Sequence, residues 1–165
     1  MKAAYLVKVL DMQPHPEGGF YRETYRSEGK ISVRELGRDF GSDRSFSTAI
    51  YFLIEKDNFS AFHRIKSDET WHFYYGDTLE VLEIDDNGKL TITHIGNKIE
   101  EGDIFQYTVK ANTWFGSRVK KGGNFSLVGC TVAPGFDFRD FEMGDRRELQ
   151  REFPGLREII EEMTR

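Results

Sequence analysis

The sequence has a single cysteine, Cys130, so no internal disulfide can form and an apolar core must hold the fold. A lone thiol inside the apolar run LVGCTV reads as a small core residue rather than a nucleophile, and it suits a reducing compartment. No apolar run approaches the roughly 20 residues that a membrane-spanning helix needs. The first residues lack an apolar stretch followed by a small-residue cleavage site, so a cytoplasmic protein with no membrane partner is expected. Net charge is −5, from 23 Lys and Arg against 28 Asp and Glu, which offers no basic field for nucleic acid. Repeats, low-complexity tracts and linkers are absent, which predicts one domain over residues 1–165. Histidine is scarce, with four in the chain, so each position is informative.

Aromatic residues and glycines are plentiful, with 14 Phe, 7 Tyr and 16 Gly, a composition that suits strands joined by tight turns. Residues 3–11 carry a short helical pattern that stops before Pro14. QPHPEGG is a rigid loop, and GFYRETYRS (19–27) is a strand with mixed faces. Residues 28–44 are polar and read as a mobile excursion. SFSTAIYFLIE (45–55) is apolar on both faces, as a central strand covered on two sides would be. TLEVLEI and LTITHIG flank Asn87-Gly88, a strong hairpin signal. Three further strand patterns follow (104–110, 113–120 and 124–135), then a loop, DFRDFEMG, and two short amphipathic helices after residue 144. Eight or nine strands with helices only at the ends predict an all-β sandwich or barrel of antiparallel strands.

The centre of this pattern is NFSAFHRIKSDETWHFYYG, residues 58–76. It reads as a strand, a polar turn at Lys66-Ser67-Asp68, and a second strand folded back as a hairpin. Alternation puts Ala61, His63 and Ile65 on one face of the first strand, and Glu69, Trp71 and Phe73 on one face of the second. His63 and Glu69 are therefore expected to converge. A carboxylate among aromatic rings is costly unless partnered, which singles out Glu69.

His63-Arg-Ile-Lys-Ser-Asp-Glu69, followed after six residues by Gly76, resembles the first cupin motif, with Ile65 at the place of its second histidine and no glycine at its start. Lys110-Ala-Asn-Thr-Trp-Phe115 resembles the second motif, with Lys110 for its proline, Asn112 for its glycine and Phe115 for its histidine. HPEGGFYRETY, FHRIKSDETWHFYYGD and TVAPGFDFRDFEMGDR are similar, in that order, to the DUF985 (cupin_5) branch of the superfamily. The resemblance implies a cupin-type jelly-roll of two antiparallel sheets with short N- and C-terminal helices, usually paired as a homodimer. It also implies a fold likeness to sugar-nucleotide 3,5-epimerases, and fold likeness alone does not carry function.

Two ligands in register, His63 and Glu69, fall short of the three that zinc or iron sites normally use, and recruiting His72 from the opposite strand face would need a bulge. The leading expectation is a small-molecule pocket without a metal or other cofactor. His63 and Glu69 would be its acid–base centre, in an epimerase- or isomerase-like proton transfer on a sugar nucleotide or another flat polar ring. Tyr51, Trp71, His72, Phe73 and Trp114 are candidate walls. Arg22 is a candidate anion clamp, and Glu17, in the Pro-rich loop with His15, a candidate at the mouth. A non-catalytic binding module and a metal-dependent cupin enzyme are the alternatives. Plain structural roles compete at each position: a satisfied His–Glu pair, aromatic core, and a surface ion pair at Arg22.

Overall fold

The computed structural model describes residues 2–37 and 39–165. In chain order the elements are α1 (Ala3–Val9), β1 (Gln13–Pro14), β2 (Phe20–Arg26), β3 (Lys30–Ile31), α2 (Val33–Leu36), β4 (Arg44–Ser45), β5 (Thr48–Glu55), β6 (Phe59–Arg64) and β7 (Asp68–Gly76). Then come β8 (Leu79–Ile84), β9 (Leu90–Ile95), β10 (Gln106–Val109), β11 (Trp114–Val119), β12 (Phe125–Ala133), β13 (Glu142–Met143), α3 (Arg146–Glu152) and α4 (Arg157–Glu162). Two antiparallel sheets face each other in a jelly-roll. One runs β1-β2-β5-β12-β7-β10 and the other β13-β6-β11-β8-β9.

Alternation along each strand divides the apolar residues among three cores. Phe52 and Ile54 of β5, Trp71 of β7, Phe115 of β11 and Val128 of β12 fill the space between the sheets. Leu53, Phe125 and Leu127 turn to the outer face of the six-stranded sheet, where Ala3 and Leu6 of α1 cover them. Phe62, Leu82, Ile84 and Trp114 turn to the outer face of the other sheet, beneath Leu149, Phe153, Ile160 and Met163 from the C-terminal helices. The double-sided apolar character of β5 thus has the cause read from its sequence: Leu53 and Ile54 are both fully buried, on opposite faces.

The structure corrects three local expectations. First, β6 and β7 are not a hairpin, because they belong to opposite sheets. Ile65 is the reason: it is buried in the inter-sheet core, so the short link crosses from one sheet to the other instead of turning within one. Second, the polar stretch 28–44 carries the β3–β4 ribbon and α2, and Arg44 leaves it to form a buried bidentate pair with Asp140 at 2.6 Å; Arg38 of that stretch lies outside the described residues. Third, DFRDFEMG contains β13, which extends the five-stranded sheet alongside β6. The β8–β9 hairpin forms as read, with Gly88 at φ 75° in its turn. Asn112 takes φ 63° at the place of the motif's glycine, a conformation asparagine tolerates better than most residues.

Candidate functional site

One end of the inter-sheet space is open rather than filled. A cavity of about 430 Å³ lies there, and His15, Glu17, His63, Glu69 and Cys130 are among its lining residues. Its walls also include Tyr21, Ile50, Phe52, Ile65, Phe136 and Phe138. His63 comes from β6 of one sheet, and Glu69 and Cys130 from β7 and β12 of the other. The two motif residues therefore share a cavity from opposite sheets, and the carboxyl that meets the His63 ring nitrogen is that of Glu17.

Glu17 is held in place by the loop before β2. Gly18 and Gly19 take φ of 115° and 72°, which doubles the chain back on itself. The Gly18 N–H then bonds the His15 carbonyl at 3.0 Å, and the Glu17 carbonyl accepts the Ala61 N–H at 2.9 Å. A Cβ at Gly18 would run into the Phe59 carbonyl, so close approach to β6 requires glycine there. The Glu17 carboxyl accepts the Ser60 hydroxyl at 2.8 Å and stands 3.1 Å from His63 Nε2.

Proton positions follow from these contacts. His63 Nδ1 lies 2.7 Å from the Ala61 carbonyl, which can only accept, so Nδ1 carries a proton. The 3.1 Å contact between Nε2 and Glu17 would oppose two lone pairs unless one proton sits between them. Burial pushes His63 down and Glu17 up. Both directions favour a neutral pair, in which the Glu17 carboxylic acid donates to the imidazole. His15 Nδ1 lies 3.3 Å from the Glu17 N–H and 3.4 Å from the same carboxyl oxygen that meets His63. Burial lowers His15 as well. Glu69 is pushed up to about 7, chiefly by its burial. The Cys130 thiol is raised well above its ordinary value by burial and by Glu69, which makes it a poor nucleophile and a donor to that carboxylate.

The expected wall residues lie elsewhere. Trp71 is in the filled part of the core, edge-on to Phe52 and Phe115, and Phe73 packs at the margin of the same cluster. Trp114 faces the C-terminal helices, with the Arg64 guanidinium 4.3 Å above its ring. Tyr51 meets Tyr74 edge-on at 5.9 Å, and Arg22 donates to the Leu10 carbonyl at 2.9 Å, both away from the cavity. His72 bonds Thr131 and Gln106 on the face of β7 opposite Glu69. Residues not singled out from the sequence line the cavity instead: Tyr21 and Glu23, which share a face of β2, and Arg26, which a register shift after Glu23 brings to the same side. The period-2 pattern of β2 carried the first two, and nothing in the sequence marks the shift.

A cupin metal does not fit this cavity. Two positions that the motifs reserve for histidine hold Ile65 and Phe115, both buried in the apolar core, and the Phe115 ring lies 4.1 Å from the His63 ring. Among the described residues no group of three or more His, Cys, Asp or Glu side chains is arranged to hold a metal ion. What the cavity offers is a buried carboxylate near neutrality, a neutral His–Glu pair and a ring-lined wall. Among the described residues no helix is long and apolar enough to cross a membrane.

The same arrangement of strands recurs in solved structures. A hypothetical protein from Leishmania major has a structure similar over 99% of both chains, with TM-score 0.91 and 35% identity. A protein from Shewanella oneidensis is similar over 100% of this chain and 98% of its own, with TM-score 0.90 and 34% identity. Oxalate decarboxylase from Bacillus subtilis matches 93% of this chain and 37% of its own at TM-score 0.56 and 15% identity, a likeness of fold alone. No curated protein matches the chain. The profile of the cupin superfamily family Cupin_5 (DUF985) covers residues 4–144, and the chain belongs to that family.

Proposed function

We propose that the cavity binds a small molecule and carries out metal-independent proton transfer on it, of the isomerase or epimerase type. The observation that carries this reading is Glu69: a buried carboxyl, lining the cavity, with its proton affinity raised to about 7. A general base works best when its proton affinity lies near the working pH. Glu69 takes a proton from carbon beside a carbonyl, leaving an enolate, and returns it to a different carbon of that conjugated system, which shifts the double bond, while the Glu17–His63 pair orients the ligand from the other side. Of the two ligand kinds the sequence suggested, a flat polar ring suits the walls of Tyr21, Phe136 and Phe138 better than a sugar nucleotide. Arg22, the expected anion clamp, is bound to the Leu10 carbonyl and does not line the cavity.

The test is a thermal-shift screen of ring compounds and sugar nucleotides, followed by NMR of any hit in deuterated solvent. Catalysis predicts deuterium entering the ligand, slowed by about 10²-fold or more in Glu69→Gln. Saturable binding with no exchange would instead support a non-catalytic binding module, the second reading. Hits that bind equally well to Glu69→Gln and His63→Ala would end both.

The family resemblance adds a homodimer, and the buried, reduced Cys130 suits a cytoplasmic setting. Exposed Tyr25 and Tyr74 on the outer face of the six-stranded sheet are the surface we assign to pairing. Light scattering on Tyr74→Glu checks that assignment, with a monomer as the expected result.

A further inference from the structure

The charges around the cavity do not balance. Among its described lining residues one fixed cation is present, Arg26, and its charge is paired with Glu23. It donates to both oxygens of Glu23 at 3.0 and 2.7 Å and to the Phe136 carbonyl at 3.0 Å. Asp137 is likewise held by both Nε and Nη2 of Arg139 at 2.8 and 2.6 Å. That leaves Glu17 and Glu69. Glu17 has Ser60 and His63 as partners. Glu69 is 8% exposed, and among the described residues no cationic side chain pairs with its carboxyl; the Cys130 thiol lines the cavity beside it. His15 and His63 bring no compensating charge, since burial holds both imidazoles toward the neutral form.

We propose that the cavity selects a small planar organic cation, an amidinium, guanidinium or protonated ring amine, with its charge against Glu69 and its ring among Tyr21, Phe136 and Phe138. The proposal rests on the reading of the cavity as a ligand site and not on Glu69 as a base, since a bound cation holds that carboxyl ionised. A buried carboxylate without a cation is unfavourable, and an organic cation supplies the missing charge together with the N–H donors that Glu69 lacks. Aromatic faces add attraction for the same charge; His15 and Phe138 are stacked at 5.8 Å, and Phe136 meets Phe138 edge-on at 4.9 Å. An inorganic divalent ion does not fit, because among the described residues the donors do not converge. An anion would meet two carboxyls, and the one guanidinium lining the cavity already has its charge paired with Glu23.

Three probes of one shape separate these cases: benzamidinium, benzamide and benzoate, measured by calorimetry and thermal shift at about pH 6 and about pH 8. The cation is expected to bind at least roughly tenfold tighter than the neutral amide, with benzoate weakest. Its affinity should rise from the lower to the higher pH, because binding displaces the proton from Glu69. Glu69→Gln should abolish both the charge preference and the pH slope. Should that variant fail to fold, the ranking and slope in the wild-type protein decide alone. Benzoate or benzamide binding as tightly as benzamidinium, or a preference unchanged in Glu69→Gln, overturns the cation assignment and leaves the ligand site standing. No response to any of the three overturns both.

Discussion

The carboxyl of Glu17 and the imidazole of His63, 3.1 Å apart, hold one proton between them and carry no net charge. The neutral form has a measurable consequence. A glutamine amide at position 17 can donate to Nε2 and accept from Ser60 as the carboxylic acid does. Glu17→Gln should therefore unfold within about 1 kcal/mol of wild type in urea, whereas Glu17→Ala, which strands both partners in a buried site, should cost about 1–3 kcal/mol. An imidazolium–carboxylate pair would behave differently: the glutamine variant alone would then lose about 3–5 kcal/mol.

Glu69 makes stability depend on pH in a defined direction. Its folded-state value of about 7 lies above the ordinary 4.5, so between those limits the folded protein binds more protons than the unfolded chain. Stability from this group is therefore full below its unfolded value and is lost as pH rises through about 7. The lowered histidines act in the opposite sense below their ordinary 6.5, losing stability as pH falls, so the raw profile mixes the two. Glu69→Gln isolates the carboxyl, because glutamine resembles its protonated form. Relative to wild type, the variant should gain stability from about pH 5 to about pH 8, by an amount on the order of 3 kcal/mol. A difference that stays flat across that range would contradict the raised value.

Much of this was legible in the sequence, for identifiable reasons. Alternation and turn chemistry marked the strands, and the spacing of His63, Glu69 and Gly76 pointed to the jelly-roll and to the importance of the two polar residues. Alternation says which face a side chain takes but not which sheet its strand joins. That is why His63 and Glu69 looked like hairpin neighbours although β6 and β7 lie in opposite sheets. The same blindness made Trp114 look like a cavity wall: its face of β11 is apolar because α3 and α4 cover it. Glu17 was recognised only as a loop residue at a pocket mouth, since its contact with His63 depends on where two glycines return the chain. Arg26 depends on a register shift that no pattern announces.

Metal content follows from Ile65 and Phe115. With buried apolar side chains at two positions where the cupin motifs place histidine, the cavity lacks the three protein ligands that transition metals ordinarily require. Protein purified without chelator should hold well under one Mn, Fe, Ni or Zn per chain by elemental analysis. Dialysis against EDTA should leave its melting temperature unchanged. A stoichiometric metal lost on substituting Glu69 would revive the metal-dependent alternative.

Gly18 is the backbone position on which the Glu17–His63 contact depends. Its φ of 115° is one that side-chain-bearing residues rarely adopt, and an added methyl would collide with the Phe59 carbonyl. Gly18→Ala should destabilise the fold by about 1–3 kcal/mol through backbone strain and displacement of the loop from β6. A general loss of stability could arise anywhere, so the informative readout is His63. Once the loop shifts, Nε2 loses the Glu17 proton, and the imidazole should titrate differently by NMR from that of wild type. Gly122 is the control: its φ of 96° is also left-handed, but a methyl group added there would have open space within 4 Å. Gly122→Ala should carry a conformational cost while leaving the His63 titration unmoved. Equal effects of the two substitutions on His63 would show that the loop does not set the pair.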